Sequence, residues 1–325
     1  MKKIVVLLLI SLLLIGCNGK NSSKGIEKET SDSKKYTIGI IKYVDHISLD
    51  AAENGFIEEL KKNDVDVEII EKSANGDMSL TTTLAQEMLS KKVDLIYAIA
   101  TPAAQATKNV VRDIPVVFSA VTDPVGAGIV NSIESPDANI TGVSDYVDPK
   151  MQIEEFLKIY PNIKTFGVIY NTSEQNSQVQ VEKLESALKE KNIFLVKVGI
   201  NTVNDIPASI AFMSNNIDAL FAITDNTVAS AVPILSEQLL KNNIPSLSSE
   251  EGQVKNGLLM SEGINYESHG AQAARIAIRI LSGEDIKNIP VEYNEINHKV
   301  VNEKTAKTLK LDLNNEIFKD AQIIK

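Results

Sequence analysis

The chain has 325 residues, a length that suits two domains of ordinary size. Hydrophobic residues make up 43% and charged residues 23%, as in an ordinary globular protein, and the formal net charge of -10 argues against a nucleic-acid partner. Because there is one cysteine and the three histidines are far apart, neither a disulfide framework nor a metal site is indicated, and we expect no metal and no cofactor.

The N-terminus has the pattern of a bacterial lipoprotein signal. Met1-Lys2-Lys3 is positively charged, and an apolar run follows from Ile4 to Ile15 that is too short to span a bilayer but suits a signal peptide. The run ends in Leu-Ile-Gly-Cys17, which resembles the lipobox, whose cysteine receives lipid and becomes the first mature residue. We therefore predict a signal peptide over residues 1–16 and membrane attachment through lipid on Cys17 only. An ordinary signal peptide that contains a cysteine is the alternative.

The next segment has a different composition. Residues 17–35 are mostly Ser, Lys, Asn, Glu and Gly, which predicts a disordered tether. Beyond it, strand-like and helix-like segments alternate, and apolar residues near a 3.6-residue period predict helices over Leu49–Lys62 and Gln178–Lys191. This alternation is typical of an α/β protein with parallel sheets.

An internal repeat divides the remaining chain. TIGIIKY from Thr37 matches TFGVIYN from Thr165, and KKVDLIYAIATP from Lys91 matches NNIDALFAITDN from Asn215. An Ile-Pro pair and a glycine follow in the same order in both halves, with offsets of 124 to 130 residues. Since four matches in one order are not expected by chance, we predict two doubly wound parallel-sheet lobes.

Ligands of parallel sheets bind outside the carboxyl ends of the strands, so two such lobes predict a cleft between them. Small residues follow Ala100, and Pro102 is expected to start a helix whose free N–H groups would hold a carboxylate. Asp225 is the counterpart in the second half and would offer its charge to an ammonium group; a helix N-cap is its alternative role. The pair predicts a receptor for a zwitterion.

Several segments together resemble a known family. TPAAQA, SAVTDP, TGVSDY, TDNTVASA and the lipobox resemble the ABC-transporter substrate-binding lipoproteins of the tryptophan/tyrosine type, which have the type I periplasmic-binding-protein fold. The resemblance covers about Tyr36 to Leu313. HISLDAAENGF from His46 resembles the first helix of the family, although Ile47-Ser48 stand where Pro-Ala is expected. The resemblance implies two lobes that are joined by a three-stranded hinge and close on a small molecule without chemistry.

The same resemblance implies partners and a location. The receptor would be a monomer on the outer face of the bacterial cytoplasmic membrane, and it would deliver its ligand to an ABC permease with a cytoplasmic ATPase. We place the crossings between lobes near Gly142–Asp145, Ile264–Glu267 and Glu284–Val291. The N-terminal lobe would then comprise residues 36–142 and 268–283, and the C-terminal lobe residues 143–267 and 291–325. Ser268–Leu281 is predicted to be a helix that returns to the first lobe.

The candidate ligand-binding residues lie at or just after predicted strand ends. They are Tyr43, His46, Ala100, Thr101, Ala103, Ser119, Thr122, Asp123, Ser144, Asp145, Tyr170, Asn171, Asp225, Asn226, Thr227, Ser248 and Ser249. Tyr43 and His46 would pack on an aromatic ligand or simply cover a hydrophobic edge. For Asp123, which precedes a proline, a turn is the alternative. Ser144 and Asp145 would serve as hinge or as ligand contact.

The leading hypothesis is a receptor for an amino acid that is aromatic or large and apolar. A nucleoside or another small organic solute is the alternative, and a sugar is disfavoured because the chain has no tryptophan to stack on a pyranose. A transcription regulator of the same fold would carry a helix-turn-helix where this chain has its signal peptide. Because G-x-S-x-G, H-E-x-x-H and P-loop motifs are absent, we expect no enzymatic activity.

Overall fold

The computed structural model describes residues 35–136, 139–295 and 297–325. The predicted signal peptide, Cys17 and the tether up to residue 34 lie outside these ranges, so those predictions stay predictions. Within the described ranges, none of the helices combines the length and the apolar character that a membrane span requires.

Strands and helices alternate along the chain as predicted. The strands are β1 (Tyr36–Lys42), β2 (Val67–Ser73), β3 (Leu95–Ile99), β4 (Val116–Val121), β5 (Ile140–Ser144), β6 (Thr165–Asn171), β7 (Phe194–Ile200), β8 (Ala219–Ala222), β9 (Ser246–Glu250), β10 (Met260–Ile264), β11 (Glu292–Tyr293), β12 (Asn297–Asn302) and β13 (Gln322–Ile324). The helices are α1 (Ile47–Lys62), α2 (Met78–Lys91), α3 (Thr101–Val110), α4 (Pro149–Ile159), α5 (Gln175–Glu190), α6 (Ile206–Met213), α7 (Asn226–Ser230), α8 (Val232–Lys241), α9 (Glu251–Lys255), α10 (Tyr266–Leu281) and α11 (Glu303–Thr308).

The strands form two sheets. The first has the order β11-β5-β4-β3-β1-β2 with parallel pairing throughout. The second has the order β13-β12-β10-β9-β8-β6-β7 and is parallel except for the β10–β12 pair. Each sheet has its own buried hydrophobic core, and the second has one on each face. The predicted α/β fold with two parallel-sheet lobes is therefore confirmed.

Helices α1 and α10 cover the first sheet together. Glycines bring their backbones close, since a Cβ on Gly270 would lie 1.9 Å from the Ala52 carbonyl oxygen. Phe56 of α1 stacks on Tyr97 of β3 with ring centroids 3.9 Å apart. Helix α10 thus packs on the first lobe, as expected for Ser268–Leu281, and its backbone closely approaches that of α1 at Ala52.

The third passage between the sheets lies later than the predicted segment Glu284–Val291. The Val291 N–H donates to the Ile133 carbonyl at 2.8 Å, and Glu292–Tyr293 pairs with β5, so the chain remains with the first sheet up to Tyr293. A two-residue edge strand has no periodicity that a sequence could reveal. The other passages follow β5 and β10. We propose lobe boundaries at residues 35–144 with 266–293, and 145–265 with 297–325.

Candidate functional site

A small cavity lies where the carboxyl ends of the two sheets face each other. The first lobe contributes His46, Ser48, Leu49 and Ala120; the second contributes Thr224, Asp225, Asn226, Ala229, Glu250 and Gln253; Asp145 and Tyr266 line it beside the passages between lobes. The volume of the cavity is only about 10 Å³, about enough for one water molecule. The lobes are therefore closed on each other.

Asp225 is fully buried at this cavity and also caps α7. One carboxylate oxygen accepts from the Val228 N–H at 2.8 Å, and the other accepts from the Asn171 N–H at 2.6 Å and the Ser177 hydroxyl at 2.7 Å. Burial, with a further effect of the Glu174 charge, raises the pKa of Asp225 to about 7. Since a carboxylate offers about four acceptor positions, cap and ligand contact are compatible.

Glu174, which the sequence analysis missed, organises the start of α7. One oxygen accepts from the Thr227 N–H at 3.0 Å and the Thr227 hydroxyl at 2.9 Å; the other accepts from the Asn226 N–H at 3.0 Å and side-chain amide at 2.6 Å. The Asn171 amide also donates to the Thr227 hydroxyl, at 2.7 Å. Of these predicted contacts, only Asn226 lines the cavity, and Asn171 and Thr227 are occupied in holding the helix.

Helix α3 begins at Thr101 with Pro102 in its first turn, as the sequence predicted. Ala100 before it has φ of 81°, a left-handed conformation that is strained for a residue other than glycine. Thr101 is buried, and its hydroxyl makes no hydrogen bond with the described residues. Yet Ala100, Thr101 and Ala103 do not line the cavity, so in this closed arrangement the predicted carboxylate site has no contact with it.

Three side chains chosen after β4 and β5 have roles within the first lobe. The Ser119 hydroxyl shares a 2.6 Å hydrogen bond with the Tyr97 hydroxyl, and the Ser144 hydroxyl donates to a backbone carbonyl at 3.1 Å. Asp123 accepts from the Gly126 N–H at 2.8 Å and so builds the turn that was its alternative. Their positions at strand ends were right, but local partners use their polar atoms.

Asp145 joins the lobes near the cavity. Its two oxygens accept from the Thr122 hydroxyl at 2.8 Å and from the Tyr266 hydroxyl at 2.6 Å. The Thr122 hydroxyl also lies 3.4 Å from that of Thr224 in the second lobe. Burial raises the pKa of Asp145. Asp145 thus lines the cavity and lies at a passage between the lobes, and Thr122 makes a contact between the lobes.

The remaining predicted residues do not line the cavity. The Tyr43 hydroxyl donates to the Gly76 carbonyl at 2.9 Å, and burial, with a further effect of the Glu174 and Asp225 charges, raises the pKa of Tyr43 to about 12. Tyr170 packs on a core of the second lobe. The Ser248 hydroxyl donates within its own loop, and Ser249 lies 3.5 Å from the amide oxygen of Gln152.

Glu250 and Gln253 are cavity residues that the sequence analysis did not choose. Glu250 is buried and caps α9, accepting from the Gly252 N–H at 2.5 Å and the Gln253 N–H at 3.1 Å. Burial raises the pKa of Glu250 to about 7. The sequence offered one signal for Glu250, because it directly follows the chosen Ser248 and Ser249 at the carboxyl end of β9.

His46 lines the cavity as the N-cap of α1. Its Nδ1 accepts from the Ser48 N–H at 3.3 Å, which leaves the proton of the neutral ring on Nε2. Burial lowers the pKa of His46 to about 4, against a smaller opposing effect of the Asn226 side chain. The ring is therefore uncharged at neutral pH.

The cavity wall is acidic. Asp145, Asp225 and Glu250 line it, and no lysine or arginine of the described ranges does. Lys42, the last residue of β1, forms ion pairs with Asp45, Asp50 and Glu53 instead. Because buried carboxyl groups without a cation are unfavourable, the wall favours a ligand with a cationic group.

Comparison with known proteins agrees with this architecture. The family model described as ABC transporter substrate binding protein matches residues 37–325. A tyrosine-binding protein from Clostridioides difficile is 40% identical over 319 residues, which are 95% of this chain and 92% of the relative.

Two solved structures are also similar to this chain. An ABC domain from Streptococcus pneumoniae in complex with L-Trp has a TM-score of 0.85 at 30% identity, over 90% of this chain and 100% of that one. The ligand-free, open structure of a substrate-binding protein from Clostridium difficile has a TM-score of 0.69 at 39% identity, over 89% of this chain and 99% of that one. The chain belongs to the family of ABC transporter substrate-binding proteins, solute receptors that perform no reaction, and its two lobes have the type I periplasmic-binding-protein fold.

Proposed function

We propose that this protein is the lipid-anchored, extracytoplasmic receptor of an ABC importer and that it captures an aromatic amino acid between its lobes, at the cavity, which must widen from its present volume to admit the ligand. The observation that carries the proposal is the acidic, buried cavity at the meeting point of both sheets. The tyrosine-binding relative and the L-Trp complex support an aromatic amino acid as the ligand.

The charges of the cavity support a zwitterion. Asp225 and Glu250 have pKa values raised to about 7 because burial disfavours their ionised forms. An ammonium group beside them restores the ionised forms by direct attraction, which makes ligand binding favourable. Sugars and uncharged nucleosides bring no such charge.

Closure of the lobes on the ligand is part of the proposal. This chain superimposes better on the complex with L-Trp than on the ligand-free, open structure, although its sequence identity to the latter is higher. A closed arrangement of the lobes accounts for this result, because the TM-score depends on the arrangement of the backbone and not on the sequence. The ligand would then close the receptor by hinge motion at the three passages.

Capture would be followed by delivery to a membrane permease that is driven by a cytoplasmic ATPase. Lipid on Cys17 would hold the receptor at the outer face of the cytoplasmic membrane, and residues 17–35 would be the tether.

A thermal-shift screen of the purified protein tests the ligand class. L-tyrosine, L-tryptophan, L-leucine, glucose, adenosine and uridine are each added at 1 mM. A ligand at a hundred times its Kd stabilises the folded state by about 2.7 kcal/mol, a shift of several degrees for a chain of this size. We expect the aromatic amino acids to give the largest shifts. Stabilisation by a nucleoside alone would replace the proposed ligand class with the alternative.

A further inference from the structure

His269 of α10 contacts the cavity wall without lining the cavity itself. It is fully shielded from solvent and lies three residues after Tyr266, which begins the helix. Its Nε2 accepts from the Ala120 N–H at 3.0 Å. The proton of the neutral ring is therefore on Nδ1, which lies 3.2 Å from the Asn294 side-chain oxygen and donates to it.

The ring makes both bonds only while it is uncharged. Burial lowers the pKa of His269 to about 4, against smaller opposing effects of the Asn294 side chain and the Val143 backbone, so the ring is neutral at neutral pH. A neutral imidazole has one acceptor and one donor at fixed positions on a rigid ring. The positions of the two partners relative to each other are therefore set by the ring.

Ala120 depends on this bond because its backbone is strained. It lines the cavity, and its φ of 55° is a left-handed conformation that is unfavourable for a residue other than glycine. The pairing of β4 with β5 shifts register between Phe118 and Val121, and Ala120 lies within this irregularity. Without the histidine, its buried N–H would lose an acceptor, and the wall would no longer be held in this conformation.

The other partner, Asn294, lies on the third passage between the lobes. Its side-chain amide also donates to the side-chain oxygen of Asn297, the first residue of β12 in the second lobe, at 2.8 Å. Tyr266 packs edge-on against His269 with ring centroids 5.7 Å apart, and its hydroxyl donates to Asp145 at the first passage. The histidine ring thus joins the cavity wall to the third passage directly and to the first passage through Tyr266.

We propose that His269 is a positioning residue for ligand binding, whose Nε2 holds Ala120 in the cavity wall and whose Nδ1–H fixes this wall relative to the third passage. His269 makes no contact with the ligand and acts through Ala120. The inference rests on the proposed function only for the ligand that is used in the test.

Two substitutions separate the two bonds of the ring. A glutamine side chain can place its oxygen where Nε2 lies, whereas an asparagine side chain can place its amide where Nδ1 lies but reaches no further. His269→Gln should therefore keep the bond to Ala120, and His269→Asn only the bond to Asn294. Gln272→Ala is the matched control, since Gln272 is buried one turn later on α10 and donates to the Tyr293 carbonyl of β11 without lining the cavity.

Calorimetry measures the affinity of the full-length protein in detergent for L-tyrosine, and hydrogen exchange with mass spectrometry measures the protection of the Ala120 amide without ligand. We expect His269→Asn to weaken L-tyrosine binding by about five-fold to fifty-fold, the effect of a buried donor that is left unsatisfied. Exchange at Ala120 should become faster by about ten-fold or more. His269→Gln and Gln272→Ala should each stay within about three-fold of the wild type in both measurements.

A folded His269→Asn protein with wild-type affinity and slow exchange at Ala120 would overturn the inference, as would equal losses in His269→Asn and His269→Gln. If His269→Asn does not fold, both substitutions are combined with Ala120→Gly, because glycine adopts the left-handed conformation without strain. The glutamine variant should then still bind more tightly than the asparagine variant, and equal affinities would refute the role of His269. Failure of the wild type to bind L-tyrosine and L-tryptophan would overturn the proposed function, and exchange at Ala120 would then decide the inference by itself.

Discussion

Substitution of Gly252 by alanine should prevent the lobes from closing fully. Gly252 lies in α9 of the second lobe, where α1 of the first lobe meets it. A Cβ at this position would lie 2.4 Å from the Ser48 hydroxyl oxygen and 3.0 Å from the Ile47 Cγ2. Gly252 has no positive φ, so the requirement for glycine comes from the approach of α1 and from the nearby Glu250 carboxyl, 2.9 Å from such a Cβ.

The size of the effect follows from the packing. Extra methyl groups in tight contacts typically cost about 1–3 kcal/mol, and here most of that cost applies to the closed state. The affinity for L-tyrosine should therefore fall by about 5-fold to 150-fold. The unliganded protein should not lose comparable stability, because alanine is favoured over glycine in a helix by about 1 kcal/mol.

The assay combines calorimetry with small-angle scattering. For the wild type, L-tyrosine at saturation should reduce the radius of gyration; for Gly252→Ala the reduction should be smaller. Lys255→Ala is the control, because Lys255 is exposed at the far end of the same helix and pairs with Glu251. If Gly252→Ala binds with wild-type affinity and compacts to the same radius, α9 and α1 do not form the closing contact.

Four further predictions concern charge and anchoring. Asp225→Ala should lower the free energy of unfolding by about 2–4 kcal/mol in urea denaturation, more than a lost cap alone. The reason is that the Asn171 N–H, the Ser177 hydroxyl and the Val228 N–H lose their acceptor. A loss under about 1 kcal/mol would contradict this prediction. Removal of the α-amino group from L-tyrosine should weaken binding to the wild type severely and to Asp225→Asn much less, and equal losses in calorimetry would exclude Asp225 as the ammonium partner. L-tyrosine affinity should rise with pH between about 6 and 8, since Asp225 and Glu250 ionise near pH 7 while the ligand keeps its ammonium, and titrations that show no pH dependence would argue against both acids. Cys17→Ser should leave an uncleaved precursor or move the protein to the soluble fraction, as immunoblots of cell fractions would show; a processed protein that still requires detergent would refute the anchor.

The fold was largely predictable because each lobe repeats one local pattern. Apolar strands that end in small or polar residues mark the carboxyl edge of a sheet, and this placed His46, Asp145, Asp225 and Asn226 at the cavity. Periodicity and repeat positions act over short stretches, so a single sequence reveals them.

The missed features depend on contacts between distant segments. Glu174 acts on the start of α7, 52 residues later, and nothing in its local sequence indicates that partner. Glu250 reaches the cavity only because the lobes close. Whether the N-terminus of α3 reaches the cavity also depends on the angle between lobes, which the pattern of strands and helices does not determine.

A crystal structure of the protein with L-tyrosine tests the central claim most directly. The account predicts the amino acid between the lobes, with its ammonium beside Asp225 or Glu250. Density for the ligand outside this cavity, or open lobes at saturating L-tyrosine, would contradict the account.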